Sequence, residues 1–96
     1  MYEWDDKKSA KNQAERGISF EDAEQVFAGP TFTFEDTRFD YGEQRLITFG
    51  VLDGRMVVVT HTPRGEKTRI ISMKKGNARE QQAYQERLEA ARRDEG

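Results

Sequence analysis

The stretch Arg55–Tyr84, RMVVVTHTPRGEKTRIISMKKGNAREQQAY, decides how the chain is read. Two apolar runs, MVVV and RIISM, flank a Pro63-Arg64-Gly65 break, a pattern that makes a β-hairpin. Asn77 then caps a helix, with Glu80 at the reciprocal position of a capping box. Basic residues gather at the junctions: Arg64, Lys67, Arg69, Lys74, Lys75 and Arg79, together with the only histidine, His61. A basic surface on a hairpin and a helix start is a candidate phosphate site.

Upstream, Asp53-Gly54 is a two-residue turn signal joining a strand over Arg45–Leu52 to one over Arg55–Thr62. Thr31–Asp36 alternates, with Phe32 and Phe34 on one face, and reads as a further strand. Asp36–Gln44 is a polar loop from which Phe39 and Tyr41 fold back toward the core. Glu66–Met73 closes an antiparallel meander. Met1–Trp4 is expected to form a short edge strand, with Trp4 plugging the core. Asp5 caps a polar surface helix over Asp6–Glu15, stopped by Gly17. Ser19 opens a second helix, with Asp22 at the third helical position and an apolar stripe of Phe20, Ala23, Val26 and Phe27; Gly29-Pro30 ends it.

Downstream, the closing helix runs to about Arg92 along a narrow seam of Ala83, Tyr84, Leu88 and Ala91. Its second half, Glu86–Glu95, carries too little apolar surface to hold itself down. It is expected to fray or to dock on a partner, with 89–96 as the tail of a single domain. The expected class is α+β: an antiparallel sheet of about four strands plus a short N-terminal strand, with two N-terminal helices and one C-terminal helix.

Composition narrows the function. Hydrophobic residues make up 34% and charged residues 35% of the 96, enough apolar material for one small core. The formal net charge of −2 argues against general nucleic-acid binding, so any such role rests on local patterning. That patterning exists: six basic residues lie between Arg64 and Arg79, and seven acids, opposed only by Arg38, lie between Glu21 and Glu43. The absence of cysteine removes disulfides and the usual zinc cages. Met1-Tyr2-Glu3-Trp4-Asp5-Asp6 is no signal peptide, and the longest aliphatic run, Met56–Val59, cannot span a bilayer. A soluble cytoplasmic domain is expected.

Two blocks of the chain resemble the BrnT toxins. The first is Tyr2-Glu3-Trp4-Asp5 with Lys8 and Asn12, then Gly17-Ile18-Ser19-Phe20 with Glu21 and Ala23, followed by Val26-Phe27 and Gly29-Pro30. The second is Arg64-Gly65, Arg69-Ile70-Ile71-Ser72, then Lys74, Ala78, Arg79, Glu80 and Tyr84. The resemblance implies a ribonuclease toxin of a type II toxin–antitoxin pair on a RelE-like fold. It also implies a partner antitoxin with a ribbon-helix-helix or related DNA-binding domain. Three positions depart from the family pattern. Glu15-Arg16 stands where Lys-His is common, Lys74 where Arg is favoured, and Gly76 where a more helix-favouring residue is usual.

Metal-independent RNA cleavage needs a base for the 2′-hydroxyl, positive charge for the phosphorane and an acid for the leaving 5′-oxygen. Arg64 and Arg69 are the candidate phosphate clamps, because Arg offers two parallel donors. Lys74 and Lys75 add charge near the helix start. His61 is the candidate base, although it alternates in phase with Val57 and Val59, which equally suits a packed structural histidine. Glu80 is a candidate base or orienter as well as a cap. Lys8, Asn12, Lys75, Arg79 and Tyr84 are candidate RNA contacts, with Tyr84 also suited to the core. No metal cluster or phosphate loop is present in the sequence, and no cofactor is expected. Two other readings compete: a degenerate toxin that only binds its antitoxin, and a stand-alone nucleic-acid-binding domain.

Overall fold

A computed structural model describes residues 1–95. The elements in order are β1 (Tyr2–Glu3), α1 (Asp6–Arg16), a 3-10 turn (Phe20–Asp22) running into α2 (Ala23–Ala28), β2 (Phe32–Glu35), β3 (Leu46–Leu52), β4 (Arg55–Arg64), β5 (Lys67–Lys75) and α3 (Ala78–Glu95). The α+β class stands, but the sheet is mixed. Its order is β1-β5-β4-β3-β2, and β1 runs parallel to β5. The wholly antiparallel sheet expected from the sequence is therefore corrected. Two helices carry the chain from β1 to the far edge, and three reversals then return β5 alongside β1 in the same direction. Gly96 and the side chain of Glu95, part of the expected tail, lie outside the described residues.

The local signals acted largely as their chemistry dictates. Asp5 accepts from the backbone N–H of Lys7 at 2.9 Å and of Lys8 at 3.3 Å, and Gly17 ends α1 at φ +74°. Asp53 and Gly54 both have positive φ, as a type I′ turn requires. Ser19 caps the second helical segment, but its hydroxyl accepts from Glu21 N–H and the first turn is 3-10, so α2 proper starts at Ala23. Pro63 lies inside β4, not in the turn, which falls at Gly65-Glu66. β3 pairs with β4 only as far as His61, so one side of β4 has no strand partner beyond that point. A residue without an N–H is tolerated there.

The two faces of the sheet have different fates. One carries Leu52, Val57, Val59, Ile70 and Met73 and buries them against Ile18, Phe20, Ala23 and Val26 from the helices, with Tyr2, Trp4 and Phe27 packed around the margin. A Cβ on Gly50 would lie 2.6 Å from Val26 Cγ1, so α2 approaches β3 where there is no side chain. α1 is attached differently, through polar groups. Buried Ser9 accepts from Phe20 N–H at 3.0 Å, and buried Asn12 donates to the Ile18 carbonyl at 2.8 Å.

The other face is crossed at one end by α3 and is otherwise open. A register shift in the β4–β5 pair decides which residues it shows. Thr60 pairs with Ser72 and His61 with Ile70, so Ile71 is an extra, bulged residue in β5. Strict alternation would put Arg69 and Ser72 on opposite sides of the sheet. The bulge places Ile70 and Met73 together in the core, and Arg69, Ser72 and Lys74 together on the open face. Among the described residues no helix is long and apolar enough to cross a membrane.

Candidate active site

The open face holds a groove of about 270 Å³ lined by Phe34, Arg38, Ile47, Phe49, Val58, Thr60, Lys74 and Glu80. Its charged wall is made where β5 hands over to α3. Glu80 accepts from Asn77 N–H at 2.9 Å while Asn77 Oδ1 accepts from Glu80 N–H at 2.8 Å, the reciprocal cap expected from the sequence. The cap fixes the Glu80 carboxylate, which also accepts from Lys74 Nζ at 3.0 and 3.2 Å. Lys74 remains 41% exposed, so the pair stands open to solvent. A Cβ on Gly76, between them, would fall 2.0 Å from Met56 Sδ, the far end of a flexible side chain that would have to turn aside.

Arg38 is the groove residue that sequence reasoning passed over, because it sits in a polar loop with no periodicity. Buried Asp36 organises that loop. It accepts from Arg38 Nε and Nη2, both at 2.9 Å, from Arg38 N–H at 3.2 Å and from the Tyr41 hydroxyl at 3.0 Å. The Arg38 guanidinium holds the Asp36 carboxyl well below the usual carboxylate range, despite the opposing effect of burial. Arg45 stacks on the Tyr41 ring with its guanidinium carbon 4.0 Å from the centroid, so Tyr41 packs within its own loop and not, as expected, on the core. Phe39 stays 67% exposed.

The other sequence candidates fall into separate places. Arg69 pairs with Glu3 at 2.8 Å and Arg64 with Glu43 at 3.6 Å, both toward the hairpin end of the open face. Arg69 and Lys74 are five residues apart on β5, roughly 16 Å along the strand, and so do not converge on one phosphate. Arg79 lines a second groove beside Glu80. Lys75 lines a depression with Gly17, Asp53 and Arg55 on the helix side. Period-two alternation already separates adjacent Lys74 and Lys75. Lys8 and Asn12 border the α1–β5 edge with Lys11 and Arg16, although the Asn12 amide is engaged by Ile18.

His61 is on the helix side, 5% exposed, with Nε2 2.7 Å from Thr48 Oγ1 and the Phe27 ring edge-on at 5.1 Å. Burial lowers its pKa. Tyr84 is 1% exposed, donates its hydroxyl to the Pro30 carbonyl at 2.7 Å and packs edge-on to Phe32; burial raises its pKa. It anchors α3 to the edge of the sheet. Among the described residues no group of three or more His, Cys, Asp or Glu side chains is placed to hold a metal ion.

A family model for the ribonuclease toxin BrnT of type II toxin–antitoxin systems matches residues 4–80. The chain belongs to the BrnT family. No curated protein matches it. The BrnT match takes in all the sequence-predicted site residues except Tyr84, and it ends at Glu80 in the first turn of α3. A BrnT toxin is a ribonuclease with an antitoxin protein as partner. The open face of this BrnT chain offers a carboxylate and an ammonium in contact, an arginine across the groove and aromatic walls.

Proposed function

We propose that this chain is a metal-independent endoribonuclease that cleaves RNA at the Lys74–Glu80 pair, inhibits translation in the cytoplasm and is silenced by a cognate antitoxin with a ribbon-helix-helix or related DNA-binding domain. The observation that carries the reading is the 3.0 Å contact between Lys74 Nζ and Glu80 Oε1 on the wall of an open groove. Glu80 takes the proton of the 2′-hydroxyl, whose oxygen attacks the adjacent phosphorus. Arg38 and Lys74 stabilise the negative charge that grows on the non-bridging oxygens. The bond to the 5′-oxygen breaks, and Lys74 protonates that oxygen. The products are a 2′,3′-cyclic phosphate and a free 5′-hydroxyl. Proton return from Glu80 to Lys74 across their hydrogen bond resets the pair. Arg69 and Arg64, further along the face, hold flanking phosphates of the same strand.

A second reading, a degenerate toxin that keeps only antitoxin docking, is favoured by one observation. Arg38, Arg64, Arg69 and Lys74 are each already paired with a carboxylate. Cleavage of a defined RNA in EDTA by the wild type, Lys74→Ala and Glu80→Gln separates the two. The ribonuclease reading expects both variants to lose about 10²–10⁴-fold in rate. Gln at position 80 keeps the cap, so the fold is retained. An inert wild type that still captures its antitoxin tightly would put the second reading in its place.

A further inference from the structure

A second groove, of about 470 Å³, adjoins the first and shares Phe34, Phe49 and Glu80 with it. Its floor is Phe32, Phe34 and Phe49 from β2 and β3. Its wall is Arg79, Ala83 and Arg87, successive turns on one side of α3. The groove is open because position 83 is alanine, where a larger side chain would fill it. Its volume lies in the range of small-ligand sites. The match to the family ends at Glu80, so Ala83 and Arg87 lie beyond it.

The walls specify the ligand's chemistry. Phe34 is 45% exposed and stands edge-on to Phe49 at 5.2 Å, which leaves aromatic surface facing the groove. Arg87 lies 5.3 Å from the centroid of Phe32. Arg79 and Arg87 make no ion pair or side-chain hydrogen bond among the described residues, unlike Arg38 and Lys74 of the first groove, which are paired with Asp36 and Glu80. An apolar, ring-lined slot with unpaired guanidinium donors suits a flat aromatic ligand with acceptors on its edge. We infer that this groove is a nucleobase subsite, which takes a purine next to the cleaved phosphate, guanine before adenine. Guanine presents O6 and N7 as neighbouring acceptors to the two parallel donors of an arginine. Base stacking on aromatic side chains supplies the remaining affinity. Continuity selects RNA over a docked protein helix: a strand with its phosphate at Lys74–Glu80 delivers the adjacent base into the slot. The inference rests on the open face being the RNA site.

The test uses a short oligonucleotide made uncleavable by 2′-deoxyribose, with 6-methylisoxanthopterin, a fluorescent guanine analogue that keeps the carbonyl and its neighbouring ring nitrogen, placed in turn at each position, and with guanine and adenine then compared at the quenched position. The expected result is quenched fluorescence at one position with the wild type. Affinity should fall about tenfold or more in Ala83→Leu and Arg87→Ala, with melting temperatures kept. Phe34→Ala carries the same comparison if Ala83→Leu does not fold. Unchanged quenching and affinity in these variants would overturn the subsite. So would a groove that loses only an amphipathic antitoxin peptide and no oligonucleotide. Cleavage of unmodified RNA is scored in parallel. Groove-dependent stacking without cleavage leaves the subsite standing and removes the ribonuclease reading. Cleavage whose base preference ignores the groove variants removes the subsite alone.

Discussion

His61 Nε2 and Thr48 Oγ1 are hydrogen-bonded at 2.7 Å on the helix-covered face of the sheet, and Thr48 Oγ1 is in turn 2.7 Å from Thr33 Oγ1. The only imidazole of the chain thus ties three strands together on the side away from Lys74 and Glu80.

Burial lowers the His61 pKa, so the unfolded chain takes up that proton first, near its ordinary value of about 6.5. The stability owed to the neutral ring is fully present above that pH and is lost as pH falls toward the folded-state value. Thermal melts at about pH 7.5 and about pH 5.5 should show a larger drop for the wild type than for His61→Gln. Equal drops would mean that the folded protein accommodates the charged ring. Folded His61→Gln should still cleave RNA.

Asp36→Asn should loosen the loop between β2 and β3. The variant keeps the side-chain shape but loses the charge that grips Arg38 through two bonds of 2.9 Å. Limited proteolysis should cut within 36–45 sooner than in the wild type, and RNA cleavage should fall because Arg38 no longer stays at the groove. Wild-type resistance to protease would show that Tyr41 and Arg45 hold the loop without it.

Glu3→Gln should tighten RNA binding. It removes the carboxylate that competes with a flanking phosphate for Arg69 through a 2.8 Å ion pair on the open face, which strengthens that phosphate contact by up to one full charge. The slope of log affinity against log salt should steepen by roughly 0.7 for a single strand. Weaker binding would mean that Arg69 needs Glu3 to point toward the strand.

Gly50→Ala should destabilise the fold by about 1–3 kcal/mol, through overpacking against Val26. The contact is to a stiff β-branched side chain at 2.6 Å, with Thr31 Cγ2 at 3.2 Å on the same side. In urea denaturation, Gly50→Ala combined with Val26→Ala should cost less than the sum of the two single changes. Simple addition would mean that α2 has room to move off β3.

The elements read correctly from sequence are those whose determinants lie within a few residues of one another. The Asn77–Glu80 cap, the Asp5 cap with Gly17, and the Asp53-Gly54 turn are local chemistry, and each formed. What the sequence did not reveal depends on partners distant along the chain. The direction of β1 is set by where the helices deliver the chain. The bulge at Ile71 is set by pairing with β4, and it determines that Arg69 shares a face with Lys74. Arg38 is held by a carboxylate two residues away, but its place on the groove depends on the sheet beneath it. The phase of His61 with Val57 and Val59 did point to the buried side, and the structure follows that phase.

α1 rests on the body through Ser9, Asn12 and the Arg16 guanidinium, which donates to the Met73 carbonyl, with Lys7, Lys8 and Lys11 turned to water. Lifting such a helix away uncovers little hydrocarbon on the helix itself, so its release contributes little to the heat capacity of unfolding or to the denaturant slope. Local opening of α1 is therefore nearly invisible in a denaturation curve. Hydrogen exchange would report it, as amides of α1 trading with solvent while those of β4 stay protected.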